Sequence, residues 1–236
     1  ADTITHTAPK SSFAEAIKTL RTNLAFMAPD DPPEVLLVTS PGPGEGKTVS
    51  ATNMAIAMAQ SGQKTLIIDS DLRRPRLHKA LSVEKTPGLT TIIRDNEALD
   101  SVVQETSIEN LSTITCGDVP PNPSELLHSN RFHEFLQEAK GRYDRVIFDS
   151  PPLAAVSDAL ILSHVVDGVL LIVEFGKTRR ETLERSLEQL HGIGAPLLGF
   201  VLNEVSNDTP GYGYSYYRYS YYGEDRDESE AQRLAG

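Results

Sequence analysis

From Ser11 onward, apolar residues recur at spacings of three and four, at Phe13, Ile17, Leu20, Leu24 and Met27, a period that predicts an amphipathic helix. The run Pro29-Asp30-Asp31-Pro32-Pro33 ends it, because proline has no amide proton to donate and its ring clashes with the preceding turn. A short apolar run, Val35-Leu36-Leu37-Val38-Thr39, then reads as a buried strand, and Gly- and Pro-rich residues 41–46 lead into a helical pattern through about Gln60. The alternation continues with strands over Thr65–Asp69, Leu111–Thr115, Arg145–Asp149, Gly168–Val173 and Leu197–Asn203, and helices over Ser124–Ala139 and Thr178–Leu190. Apolar strands of this length, buried on both faces and joined by helical crossovers, predict an α/β fold with a mostly parallel sheet flanked by helices. Residues 1–10 are polar and without period, so they are expected to be a flexible N-terminal segment. The domain then runs over 11–204, and 205–236 form a flexible Tyr-rich C-terminal tail.

Composition narrows the function classes. The chain has 236 residues, 39% hydrophobic and 23% charged, the mix of a soluble globular protein with a sizeable core. Its formal charge of −11 opposes general nucleic-acid binding, which depends on basic side chains neutralising phosphates, so no nucleic-acid partner is expected. The single cysteine, Cys116, cannot form an internal disulfide and reads as a small buried residue in a reducing compartment. The most apolar stretch, Ile161 to Phe175, is interrupted by His164, Asp167 and Glu174 and falls short of the roughly 20 apolar residues that a spanning helix needs. The chain opens Ala1-Asp2-Thr3 with no basic region and no apolar core, so no signal peptide is expected, and the chain reads as one that could be cut from something longer.

The chemistry begins after the first strand, at Ser40-Pro41-Gly42-Pro43-Gly44-Glu45-Gly46-Lys47-Thr48. This is a P-loop in strand–loop–helix context, although Pro41 stands where the usual first glycine falls. Its glycines let backbone N–H groups turn around phosphate oxygens and the helix N-terminus adds positive potential. Lys47 is expected to reach the β/γ-phosphates and the Thr48 hydroxyl to ligate Mg²⁺. Gly42, Gly44, Glu45, Gly46, Lys47 and Thr48 are therefore the candidate ATP-binding residues of a P-loop NTPase-like fold.

Two strands end in acids: Asp69-Ser70-Asp71-Leu72-Arg73 and Asp149-Ser150-Pro151-Pro152. Ligands of an open α/β sheet bind along the C-terminal strand edge, so Asp69, Asp71 and Asp149 should converge on the phosphates. Thr48, Asp69 and Asp149 are candidate metal ligands, and Lys47, Asp69, Asp71 and Asp149 candidate catalytic residues. Asp69 and Asp71 should divide metal contact and hydroxyl activation between them, in an order the spacing leaves open. The basic cluster Arg73, Arg74 and Arg76 reads equally as a solvated turn stiffened by Pro75 or as a set of phosphate or subunit contacts.

The combination resembles the bacterial tyrosine kinase (BY-kinase) family, the cytoplasmic kinase domains of polysaccharide co-polymerases. The resemblance covers about Ser12 to Asn203. It rests on the 15–21 helix, Ser40 to Thr48, Leu66 to Arg73, Pro120-Pro121-Asn122-Pro123-Ser124-Glu125-Leu126-Leu127, and Val146 to Pro152. The allied MinD/ParA-type ATPases carry a further lysine where this chain has Gly42, and in lacking it this chain is similar to the kinases. By resemblance, ATP and Mg²⁺ are the cofactors and Asn203 the adenine-side asparagine, although a strand-end turn is an equal reading of that residue. The family's Glu-x-x-Arg-x-x-Arg oligomerisation motif is matched by Glu15, Lys18 and Arg21, with lysine in place of the first arginine. The role of Pro120 to Leu127 stays open, since Pro123 also suits the first turn of a helix.

Seven of the eight tyrosines, Tyr212, Tyr214, Tyr216, Tyr217, Tyr219, Tyr221 and Tyr222, fall in one short segment, and these are the candidate phosphoacceptors. The resemblance implies a ring-type homo-oligomer in which one subunit's tail enters its neighbour's active site. Phosphates, each adding about −1.5 to −2 charges, would loosen such a ring by repulsion against Glu224 to Glu230. It implies also a membrane co-polymerase region in the same polypeptide or a separate one, a cognate tyrosine phosphatase, and a place at the cytoplasmic face of the membrane. The expected activity is ATP-dependent tyrosine autophosphorylation in trans that regulates exopolysaccharide synthesis. The alternative is a MinD/ParA-like positioning ATPase with water as the acceptor.

Overall fold

A computed structural model describes residues 2–28 and 32–205, so the seven tyrosines from Tyr212 to Tyr222 lie outside the described residues. In chain order the elements are α1 (Ile4–Thr7), α2 (Ser12–Met27), β1 (Val35–Thr39), α3 (Lys47–Ala59), β2 (Thr65–Asp69), α4 (Leu77–Leu81), α5 (Leu89–Asp95) and α6 (Leu99–Val102). There follow β3 (Gln104–Glu105), β4 (Leu111–Ile114), α7 (Pro123–Leu127), α8 (Asn130–Lys140), β5 (Arg145–Asp149), α9 (Asp158–Ser163), β6 (Gly168–Glu174), α10 (Arg180–Gly192) and β7 (Leu197–Asn203).

The strands form one sheet in the order β3-β4-β2-β5-β1-β6-β7, parallel throughout except for the short antiparallel β3. Successive side chains of a strand point to opposite faces, and each central strand feeds two cores. Val35, Leu37, Leu66, Ile68, Val146, Phe148 and Leu171 pack with Phe132, Phe135 and Leu136 of α8. Leu36, Val38, Ile67, Ile147 and Leu170 pack on the other face with Met54, Ile56 and Met58 of α3. Burial on both sides explains why these strands read as continuous apolar runs rather than alternating ones. At the β7 edge the cover thins, and Leu197 and Phe200 are exposed.

The structure corrects the expectation for residues 1–10. Residues 4–7 form α1, and the segment is docked on α3: the Thr5 amide donates to Asn53 Oδ1 at 2.7 Å, and Asn53 Nδ2 donates to the Asp2 carbonyl at 2.9 Å. An Asp2–Arg76 ion pair at 2.7 Å closes the contact. Polar anchoring to a buried asparagine leaves no hydrophobic period, which is why the segment looked unstructured. The helix expected over Ser124–Ala139 is two helices. Ser129 adopts an extended conformation, and its side chain accepts from the Phe132 amide, so it caps α8 and breaks the run. The remaining differences are the short elements α4, α5, α6, β3 and α9, which are too brief to carry a period.

Candidate active site

The P-loop joins the buried centre of the sheet to the most enclosed helix, since every residue of α3 except Lys47 and Val49 is buried. Gly46, the residue before α3, has φ 88°, a left-handed conformation that favours glycine. A Cβ there would also collide with the Asn203 side-chain amide. Asn203 Nδ2 donates to the Glu45 carbonyl at 3.1 Å, which fastens the loop to the end of β7. The Glu45 carboxylate is buried and turned toward the β6–α10 connection, where Oε1 accepts from the Thr178 hydroxyl at 2.9 Å; burial raises its pKa. Glu45 thus braces the loop with its side chain and leaves its backbone to line it.

The strand register brings the acids together. Asp69 pairs with Asp149 across β2 and β5, and Val38, just before the P-loop, pairs with Asp149 on the other side. The ends are cross-tied. Ser70 donates from its amide and its hydroxyl to the Asp149 carbonyl, at 2.8 and 2.7 Å, and the Leu153 amide donates to the Ser40 carbonyl at 2.9 Å.

Asp69 and Asp149 are fully or almost fully buried, and Asp71 is 8% exposed. Burial above all pushes the Asp149 carboxyl up to about 7, against the opposing pull of a hydrogen bond from Thr48 and the Lys47 charge. Asp69 is driven well above the usual carboxylate range, first by burial and then by the neighbouring Asp149 charge. Its Oδ2 accepts from the Arg76 and Leu77 amides at 3.0 and 2.9 Å. Asp71 Oδ1 accepts from the Arg73 and Arg74 amides, at 3.3 and 2.9 Å, closing a turn of its own.

Two buried oxygens, Asp69 Oδ1 and Asp149 Oδ1, have no hydrogen-bond partner among the described residues. Glu45 Oε2 is likewise without a partner among the described residues; a buried carboxylate oxygen is satisfied by ordered water or an ion, and at the foot of a P-loop a cation can serve Asp69 and Asp149 together. Among the described residues no cluster of three or more His, Cys, Asp or Glu side chains forms a metal cage. Two carboxylates beside a threonine hydroxyl instead suit Mg²⁺, which binds through one or two acids and completes its shell with phosphate and water. The residues therefore fit the expected cofactor.

The basic cluster separates into distinct roles. Arg76 pairs with Asp2, and Arg74 is exposed. Arg73 reaches the fully buried Asp158 through Nε at 2.9 Å and Nη2 at 3.2 Å, and Ser124 Oγ donates to the same carboxylate at 2.6 Å. Sequence reasoning missed Asp158 and Thr178. An acid in the first turn of a helix and a threonine in a loop carry no signal until their distant partners are known. Cys116 is buried, as expected, and burial with the nearby Asp69 charge pushes its thiol up to about 12.

Glu15, Lys18 and Arg21 lie on α2 away from the acids. Lys18 Nζ pairs with Glu15 at 2.7 Å and donates to the Pro9 carbonyl at 2.8 Å, while Arg21 Nη1 donates to the Ala57 carbonyl at 2.8 Å. A cavity of about 240 Å³ sits beside this helix, lined by Arg21, Leu24, Phe26 and Met58, rather than at the P-loop. No helix among the described residues is long and apolar enough to cross a membrane.

A family model described as an AAA domain matches residues 33–193. The chain is 42% identical to the tyrosine-protein kinase YwqD of Bacillus subtilis (strain 168), over 85% of this chain and 84% of that protein. It is 38% identical to the tyrosine-protein kinase etk of Escherichia coli (strain K12) over 84% of this chain, but spans only 27% of that longer protein. The solved kinase domain of Escherichia coli ETK superposes with a TM-score of 0.81 at 35% identity, over 86% of this chain and 81% of that one. The septum site-determining protein MinD of Pyrococcus horikoshii, solved with Mg-ADP, shares the fold at 22% identity, with a TM-score of 0.61 over 76% of this chain and 75% of that one.

Proposed function

Because this chain belongs to the tyrosine-protein kinase family of YwqD and ETK, built on an AAA domain, we propose that it transfers the γ-phosphoryl group of ATP to tyrosine hydroxyls. The observation that carries the reading is the pair of buried, unpartnered oxygens on Asp69 and Asp149, beside the Thr48 hydroxyl at the foot of a P-loop. Phosphoryl transfer needs little covalent chemistry from the protein and depends on charge neutralisation and positioning. Thr48, Asp149 and Asp69 would hold Mg²⁺, which when bound supplies that neutralisation at the phosphate oxygens. The amides of Gly42 to Thr48 cradle the phosphates, and Lys47 binds the transferring group. Asn203, whose side-chain amide donates to the Glu45 carbonyl, would be the residue that meets the adenine. Asp69 and Asp71 share the work of accepting the hydroxyl proton and completing the cation site.

The acceptors are the chain's own Tyr212, Tyr214, Tyr216, Tyr217, Tyr219, Tyr221 and Tyr222, delivered in trans within a ring that Glu15, Lys18 and Arg21 help to hold. A membrane co-polymerase region, fused or separate, brings the kinase to the cytoplasmic face of the membrane. A cognate tyrosine phosphatase resets the tail, and the cycle regulates exopolysaccharide export. Radiolabelled ATP tests the reading: label should appear on tyrosine and be lost in Lys47→Met and in Asp69→Asn. Free phosphate without labelled protein would instead support a MinD-like ATPase, whose fold this chain shares.

A further inference from the structure

The segment Pro120 to Leu127 and the acid Asp158 have no part in the chemistry above, yet they meet beside it. Asp158 is fully buried at the start of α9, on the stretch of chain that leaves Asp149. A carboxylate taken wholly out of water must be paired and hydrogen-bonded. Here the Arg73 fork supplies two bonds, and Ser124 Oγ, in the first turn of α7, supplies a third. Arg73 Nη2 also lies 3.4 Å from Ser124 Oγ, which closes a three-way contact.

Arg73 is engaged at both ends. Its side chain grips Asp158 and its backbone amide donates to Asp71 Oδ1, so the guanidinium fixes the turn that presents Asp71. The loop on the other side of Asp149 is tied to the P-loop, through the Leu153 amide to the Ser40 carbonyl and the Ala154 amide to the Pro41 carbonyl at 3.1 Å. Arg73–Asp158 therefore closes a frame around three loops, which carry the phosphate cradle, the Asp149 acid and the Asp69/Asp71 pair. The bidentate geometry matters because a guanidinium fork fixes direction as well as distance, where an ammonium would act as a point charge.

We infer that Arg73, Asp158 and Ser124 form a positioning clamp that sets Asp71 relative to Asp149 for phosphoryl transfer. The clamp acts through Asp71, the residue its turn holds, so its loss should slow the transfer step and leave ATP affinity alone. Misplacing a catalytic group by about 1 Å can cost on the order of 10²-fold, and loosening one anchor should cost less.

The inference rests on the phosphoryl-transfer reading, but not on the acceptor. ADP release by the whole chain, which counts transfer to tyrosine and to water alike, is therefore the readout. In Asp158→Asn, kcat for ADP release should fall about tenfold while KM for ATP stays within about twofold of the unsubstituted chain. Arg73→Lys should match that loss, and the double variant Arg73→Lys/Asp158→Asn should be no worse than either single one, because the two act as one unit. Ser124→Ala, which keeps the ion pair, should cost about threefold and guards against a variant that fails to fold. Folded Asp158→Asn and Ser124→Ala with kcat within about twofold of the unsubstituted chain would overturn the clamp, as would a rise in KM with kcat unchanged.

Discussion

Asp149 and Asp158 sit on one continuous stretch of chain, are equally buried, and are satisfied in opposite ways. Asp158 receives a guanidinium fork and a hydroxyl, while Asp149 has one oxygen bonded by Thr48 and the other without a partner among the described residues. Burial alone does not mark a working group, because a paired acid can be part of the frame. Between these two acids the difference is a desolvated oxygen that the described residues do not satisfy, which costs stability unless a ligand arrives. The same contrast separates Asp69 from the half-exposed Glu15 on α2, whose partner Lys18 is local and whose pairing contributes little.

Substitution at the P-loop should have the largest effect. Lys47→Met should lower phosphoryl transfer by roughly 10²–10³-fold in a steady-state ADP assay while thermal unfolding stays close to that of the unsubstituted chain. Asp149→Asn should abolish transfer to a similar degree, yet make the metal-free chain more stable near neutral pH. The folded Asp149 carboxyl titrates at about 7, above its unfolded value, so its contribution is full in acid and is lost as the pH rises through about 7. Asp69 has the same sign. Melting curves of the metal-free chain should therefore show this loss with rising pH, flattened by Asp149→Asn, whereas binding of Mg-nucleotide should strengthen over the same range because the cation needs the ionised acid.

Asp158→Asn should do the reverse of Asp149→Asn. Removing the charge from a paired site should cost about 1–3 kcal/mol, read as a lower denaturation midpoint, with or without Mg-nucleotide. If both substitutions shifted stability in the same direction, the distinction between satisfied and unsatisfied acids would fail. The smallest effect should be at Cys116, whose buried thiol, with a pKa near 12, should resist alkylation by iodoacetamide at neutral pH in the folded chain.

The centre of this molecule was legible because its signals are local. The β1–P-loop–α3 unit, the buried strands and the acids at their ends are each written in a few adjacent residues. The elements that escaped notice owe their form to distant partners. Asn53 holds the N-terminal segment from another helix, Ser129 divides a helical run by capping its second half, and Asp158 becomes a clamp only when Arg73 and Ser124 fold against it. Glu45 falls within the P-loop sequence, but its side chain is committed to Thr178, a contact no spacing could reveal. Arg73 and Arg76 likewise take their places from the distant carboxylates they meet, Asp158 and Asp2.

Intact-mass spectrometry of the purified chain before and after incubation with Mg-ATP, followed by mapping of the modified residues, tests the account most directly. The buried acids and the P-loop predict a ladder of added phosphates confined to Tyr212–Tyr222 and absent in Lys47→Met. An unchanged mass alongside steady ATP hydrolysis would contradict it, by showing that the site delivers its phosphoryl group to water.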